Sequence, residues 1–352
     1  MQYKLRYSKF LAVCVLALLV SGLCAFLLRE YLGTPARVNV LSTRLPQATT
    51  TPRAVVADTV VHAVSNVSPA ASPVASMHLT FDEEFDTFSR YIDANGNITC
   101  HPDGSGTWQT VYGFCSRTNP GNDEAEVYTD PGFFAYLKHE SATTSLVDPE
   151  LPFSISQGTL VIKAMPASTQ VTAAVGAWAK YTSGLITTQF SFTQEYGYFE
   201  MRAKLPKGKG LWPAFWLLPE DQSWPPEIDA MEAFGAPNTK GEGGMTTVHY
   251  ASHALKDGES CGGWHDVGTD ITAGFHTYGV DVEPTGITYY FDGMPYATCP
   301  ANSAAQKKFY ILINLAVGGD TSWPGIPDRT TPFPATLSVD YVRAYQHDTV
   351  VQ

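Results

Sequence analysis

The chain has 352 residues, a formal net charge of −12, 44% hydrophobic residues, 12% aromatics, 29 Gly and 24 Pro. This composition supports a sizeable core of many short, turn-linked strands and argues against helical bundles. No Lys/Arg-rich run follows the first nine residues, so nucleic acid is excluded as a partner, and strongly anionic polymers are disfavoured as substrates.

In chain order, residues 1–9 form a basic stub, with Lys4, Arg6 and Lys9 preceding 19 uncharged residues from Phe10 to Leu28. This stretch is long for a secretory signal core, which spans about 7–15 residues, and close to the roughly 20 that cross a bilayer. No small-x-small cleavage site follows Leu28, and Val13 and Leu23 spoil a lipoprotein box before Cys14 or Cys24. The expectation is a signal anchor over 10–28 with 1–9 in the cytoplasm, the alternative being a cleaved signal peptide. Because the basic flank is N-terminal, either version exports the body of the protein. Residues 29–77, poor in aromatics and rich in Thr, Ala and Pro, cannot build a core and read as a flexible linker. The exported part holds Cys100, Cys115, Cys261 and Cys299. In an oxidising compartment three pairings are open, and Cys100–Cys115 with Cys261–Cys299 closes the shortest loops. No Cys-x-x-Cys or His-rich spacing suggests a zinc site.

Composition changes at HLTFDEEFD (78–86), where a domain over 78–352 is expected to begin. TSGLITTQFSF (182–192) is strand-like. GYFEMRAKLP (197–206) alternates, with Phe199, Met201, Ala203 and Leu205 on one face and Tyr198, Glu200, Arg202 and Lys204 on the other. GITYYFDGMPYATC (286–299) reads as a hairpin turning at Asp292-Gly293, and ATLSVDYVRAYQ (335–346) as a closing strand. SAAQKKF (303–309) is the best helical candidate. The expected fold class is all-β: a two-sheet antiparallel β-sandwich of the jelly-roll type.

One stretch carries chemistry. WPPEIDAMEAFG (224–235) places Glu227, Asp229 and Glu232 among apolar residues, spaced two and then three apart. On a regular strand Glu227 and Asp229 share a face and Glu232 points away. One extra residue near Ala230–Met231, a β-bulge, returns Glu232 to that face, and bulges are frequent beside active sites. Two carboxylates on one surface suit glycoside hydrolysis, one as nucleophile or base and one as acid. A third between them raises the proton affinity of its neighbours. The plainer alternative is an acidic solvated strand face. LWPAFWLLP (211–219) sets Trp212 and Trp216 on one side, with Phe215 and Leu217 turned to the core, and Trp224 precedes the acids. Indole rings accept the apolar face of a sugar, although any single Trp is as readily core. His249 is a further candidate for the same cleft, or a structural hydrogen-bonder.

EIDAMEAFG resembles the E-x-D-x-x-E signature of glycoside hydrolase family 16, in the bulged form of its laminarinase-like members. LTFDEEFD, NDEAEVYTD (122–130), YTSGLITT, GYFEMRAKLPKGKGLWPAFWLLP, LINLAVGGDTSWPG and SVDYVRAY resemble its other segments in order. The resemblance implies a retaining β-glycanase on a concanavalin A-like jelly roll with an open cleft. It implies Glu227 as nucleophile, Glu232 as general acid/base and Asp229 as the residue that tunes them. By the same resemblance Trp212, Trp216 and Trp224 are sugar platforms, and Arg202 and His249 are polar contacts near the cleavage point. Asp340 is a ligand for a possible structural calcium, with no cofactor required for catalysis. The expected substrate is a β-1,3 or mixed β-1,3/1,4 glucan and the expected state a monomer. Alternatives are an exopolysaccharide or cell-wall depolymerase or transglycosylase, and a glucan-binding module that does not cut, disfavoured because both glutamates are present. An insertion, NGNITCHPDGSGTWQTVYGFC (95–115), departs from the family at the first cleft loop.

Overall fold

The computed structural model describes residues 73–138, 151–256, 258–302 and 306–348. The expected anchor (10–28) and nearly all of the expected linker lie outside them. Among the described residues no helix is long and apolar enough to cross a membrane.

Among the described residues, sixteen strands stack as two sheets. The larger is built from β1 (Met77–Glu83), β2 (Glu126–Tyr128), β3 (Phe153–Ser156), β4 (Thr159–Pro166), β5 (Tyr181–Ser183), β7 (Gly197–Lys204), β12 (His276–Glu283), β13 (Gly286–Phe291), β14 (Met294–Pro300) and β16 (Ala335–His347). Its order is β14-β13-β12-β7-β16-β4-β5-β2, with β1 on β16 and β3 on β4. The smaller comprises β6 (Leu185–Thr187), β8 (Leu211–Pro219), β9 (Glu227–Glu232), β10 (Thr247–His253), β11 (Cys261–Asp266) and β15 (Phe309–Val317), in the order β11-β10-β9-β8-β15-β6. Pairing is antiparallel except between β2 and β5. The jelly-roll sandwich expected from the sequence is the fold observed.

The alternation explains the layering. Phe199, Met201 and Ala203 of β7 face Phe215, Leu217, Ile228, Met231, Ile311 and Ile313 of the smaller sheet in one buried cluster. Truncating such a side chain to Ala costs about 2–5 kcal/mol, so this face sets the register of each strand. The Asp292-Gly293 turn is as expected: φ is 47° and 73° at its two residues, as a two-residue hairpin with matching twist requires.

Of the segment proposed as helical, 303–309, residues 303–305 lie outside the described residues, and Phe309 opens the buried strand β15. Among the described residues the α-helices are Phe133–Lys138 and Thr169–Val175. The second is started by Ser168, whose hydroxyl accepts from the Val171 amide, and is ended at Gly176; each is too short to carry a readable period.

Both expected disulfides are formed. Cys100–Cys115 closes the insertion on itself. Cys261–Cys299 joins β11, the edge of the smaller sheet, to β14, the edge of the larger one.

Candidate active site

The outer face of the smaller sheet carries the three acids. β8 pairs with β9 so that Ala214 faces Glu232, Phe215 faces Met231 and Trp216 faces Asp229, leaving Ala230 without an opposite residue. On the other side, His249 of β10 faces Glu232 and Ala251 faces Asp229. Ala230 is therefore the extra residue of a bulge against both neighbours. Ile228 and Met231 point into the core while Glu227, Asp229 and Glu232 line one cleft of about 390 Å³.

Each glutamate is held by an indole. Trp212 Nε1 donates to Glu232 Oε1 at 2.9 Å, and Trp224 Nε1 donates to Glu227 Oε2 at 2.9 Å. His249 Nδ1 lies 2.9 Å from the other Glu232 oxygen, Oε2. Trp216 Nε1 donates to Asn314 Oδ1 at 2.8 Å, which fixes that ring across β15. All four sequence-named cleft aromatics, counting His249, line the cavity.

Electrostatics follow from burial and crowding. Asp229 is 4% exposed, and desolvation together with the charge of Glu232 pushes its proton affinity well above the usual carboxylate range. Glu227 is pushed well up by desolvation and then by Asp229, with partial relief from His253 and from the Trp224 N–H. Glu227 and Asp229 cannot both ionise cheaply side by side, so the pair keeps a proton past the pH at which an isolated carboxyl has lost it.

Other residues in the site escaped the sequence reading. His253 Nε2 lies 3.2 Å from Asp229 Oδ2 and 3.7 Å from Glu227 Oε1, being the β10 residue in register with Glu227. Asn314 anchors Trp216 and donates to Tyr128 at 2.9 Å. Glu124, pushed up by burial, and Asn119, Asn122, Tyr112 and Trp323 complete the walls. Trp323 Nε1 donates to Glu242 at 2.9 Å, and its ring meets Trp212 edge-on at 5.6 Å. The signal for His253 was its period-2 spacing from His249; nothing local marks Asn314.

Two sequence-named residues fall elsewhere. Arg202 is on β7 in the larger sheet, so its solvent-facing side is the opposite surface of the sandwich from the cleft. It forms an ion pair with Asp340 and lies over the Phe275 ring at 5.0 Å. Asp340 in turn does not fit a calcium site here: its carboxylate is already neutralised by a guanidinium that would repel a second cation.

Residues 153–343 match the model of the family described as glycosyl hydrolases family 16. The chain is 36% identical over 274 residues to endo-1,3-1,4-beta-glycanase ExsH of Rhizobium meliloti, covering 76% of this chain and 52% of that protein. It is 41% identical over 248 residues to endo-1,3-1,4-beta-glycanase EglC of the same organism, covering 69% and 48%. Among solved structures, the laminarinase catalytic domain of Thermotoga maritima aligns with a TM-score of 0.57 at 30% identity, covering 77% of this chain and 98% of that one. The fold and site define a jelly-roll carbohydrate-active protein; the chain belongs to glycosyl hydrolases family 16. It spans about half the length of the two curated relatives.

Proposed function

We propose that this protein is a retaining endo-β-glycanase that cuts internal β-1,3 or mixed β-1,3/1,4 glucan linkages. The observation that carries this reading is the bulge at Ala230, which sets three carboxylates on the floor of an open, indole-lined cleft. Glu227 attacks the anomeric carbon as the bond to the departing oxygen breaks, and Glu232 gives that oxygen its proton. Water then attacks the same carbon, passes a proton to Glu232 and frees Glu227. Trp212 donates to one oxygen of Glu232 and His249 Nδ1 lies beside the other, so the two side chains hold the carboxyl in position for proton transfer. Asp229, buried between the glutamates, raises the proton affinity of Glu227.

The names of the two curated relatives, both endo-1,3-1,4-beta-glycanases, support the linkage class. The two disulfides fit an extracytoplasmic site of action. We extend this to a monomeric catalytic domain over 78–352, carried on the 29–77 linker and anchored by 10–28, with a cleaved leader as the alternative.

The test has two arms. Purified 78–352 is incubated with laminarin, lichenan, agarose, xyloglucan and bacterial exopolysaccharides, and the products are sized; oligosaccharides of mixed length from laminarin or lichenan are expected. Glu227→Ala should abolish turnover of every substrate. Glu232→Ala should fail on glucan yet still react with an activated aryl glycoside, releasing a β-azide when azide is added. Azide rescue of the Glu227 variant with an α-product, and none of the Glu232 variant, would reverse the two roles. Absence of cleavage from every polymer would leave a binding module.

A further inference from the structure

The 95–115 insertion ends in a tight turn that carries an exposed aromatic. Phe114 is 59% exposed, and its ring stacks on Tyr112 with centroids 4.7 Å apart and planes at 13°. Single exposed hydrophobics are ordinary on any surface. Phe114 differs in how firmly it is held. The Cys115 amide donates to the Tyr112 carbonyl at 2.8 Å, and the Tyr112 amide to the Ser116 carbonyl at 3.0 Å. Cys115 adopts a left-handed φ of 62° and is tied to Cys100 by the disulfide. Gly113 lies directly on the Gln189 side-chain amide, which a Cβ, 1.5 Å from Oε1, would have to displace. Two residues on, the Arg117 guanidinium pairs with buried Asp130 at 2.6 Å, anchoring the exit of the turn.

This rigid turn forms one wall of a second cavity of about 460 Å³. Its other walls include Trp216 and Trp224, with Asn119 and Gln222 as polar groups, and it reaches Glu227. It is continuous with the catalytic cleft, because Tyr112, Asn122, Trp216, Trp224 and Glu227 line both. Flat aromatic walls with a few polar groups match the alternating C–H faces and hydroxyls of a neutral sugar ring. The occupant is specified by that continuity: a chain lying over Glu227 extends into this cavity without leaving the surface.

We propose that Phe114, presented by the disulfide-closed turn, is the platform of an outer subsite that binds a further sugar residue of the same neutral glucan chain. The proposal rests on the endo-glycanase reading above and adds a length preference to it. A platform held rigid before binding loses little entropy on contact, so its contribution appears in the use of long substrates.

The experiment compares kcat/KM on β-1,3-linked glucose oligosaccharides, a trisaccharide against a hexasaccharide, in the full 78–352 domain. In the parent protein the longer substrate is favoured. In Phe114→Ala the ratio of hexasaccharide to trisaccharide kcat/KM falls about tenfold, equivalent to about 1.4 kcal/mol. Phe114→Leu, which keeps apolar bulk without a flat ring, falls similarly, while Phe114→Tyr restores the ratio. A ratio unchanged in Phe114→Ala, or rescue by Leu as complete as by Tyr, overturns the subsite. A parent protein that cuts neither oligosaccharide nor polymer overturns the glycanase reading instead.

Discussion

At the residue scale, the acids that make the site also strain the fold. Asp229 and Glu227 bind protons more tightly in the folded chain than unfolded, chiefly because burial penalises their charge. A raised carboxyl reverses the usual carboxylate linkage: the folded state holds the extra proton, so stability is lost as pH rises from the ordinary carboxylate range through the elevated folded values. Asp229→Asn should therefore raise the melting temperature near neutral pH, by about 2–4 °C if the gain is about 1 kcal/mol. The gain should vanish at a pH where Asp229 is protonated in both states. The same change removes a charge that raises Glu227, so the acidic limb of kcat/KM should move to lower pH. A melting scan and a pH–rate profile on one preparation check both. A melting temperature that drops equally at all pH values would mean Asp229 is held by contacts rather than opposed by desolvation.

At the element scale, the bulge decides spacing as well as direction. Removing Ala230 restores strict alternation in EIDME, which still directs all three acids to the cleft and Met231 to the core. The variant should fold, with circular dichroism close to the parent. The Glu227-to-Glu232 span shortens by one residue, however, and although Ala214 and His249 stay opposite Glu232, the bend and extra twist that the bulge adds before Glu232 are lost. Misplacement of about 1 Å costs on the order of a hundredfold in rate. The expected result is kcat lowered by about that factor with binding of laminarin oligosaccharides retained. Unfolding on deletion would show that the bulge serves packing rather than geometry.

At the scale of the whole molecule, the two disulfides do different work. Cys261–Cys299 ties the edge strands of both sheets across 38 residues, so it restrains the opening of the sandwich. Replacing both cysteines by Ser should cost about 2–4 kcal/mol of global stability, seen as a lower denaturant midpoint. Cys100–Cys115 closes a loop beside the cleft, with a separation of 15. Its replacement should shift the global midpoint less and weaken long-substrate use instead. Equal loss of stability from the two replacements would show that the insertion folds as part of the sandwich core.

What the sequence alone determined is what local chemistry encodes. Alternation in 197–206, the Asp-Gly turn and the closing strand 335–346 fix strands and faces, because the two-residue period and burial operate within a few positions. The spacing of Glu227, Asp229 and Glu232 revealed the bulge for the same reason. What alternation cannot supply is which sheet a strand joins. Arg202 was rightly read as facing away from the core, yet β7 pairs with β12 and β16, and the side it faces is not the cleft. Only the tertiary structure decided that Asn314, Tyr112, Glu124 and His253 meet at one site, since pairing between distant strands brings them there. It likewise set Arg202 against Asp340 across 138 residues. Non-local strand pairing sets these contacts through the burial of whole faces, and no single segment of the sequence contains that information.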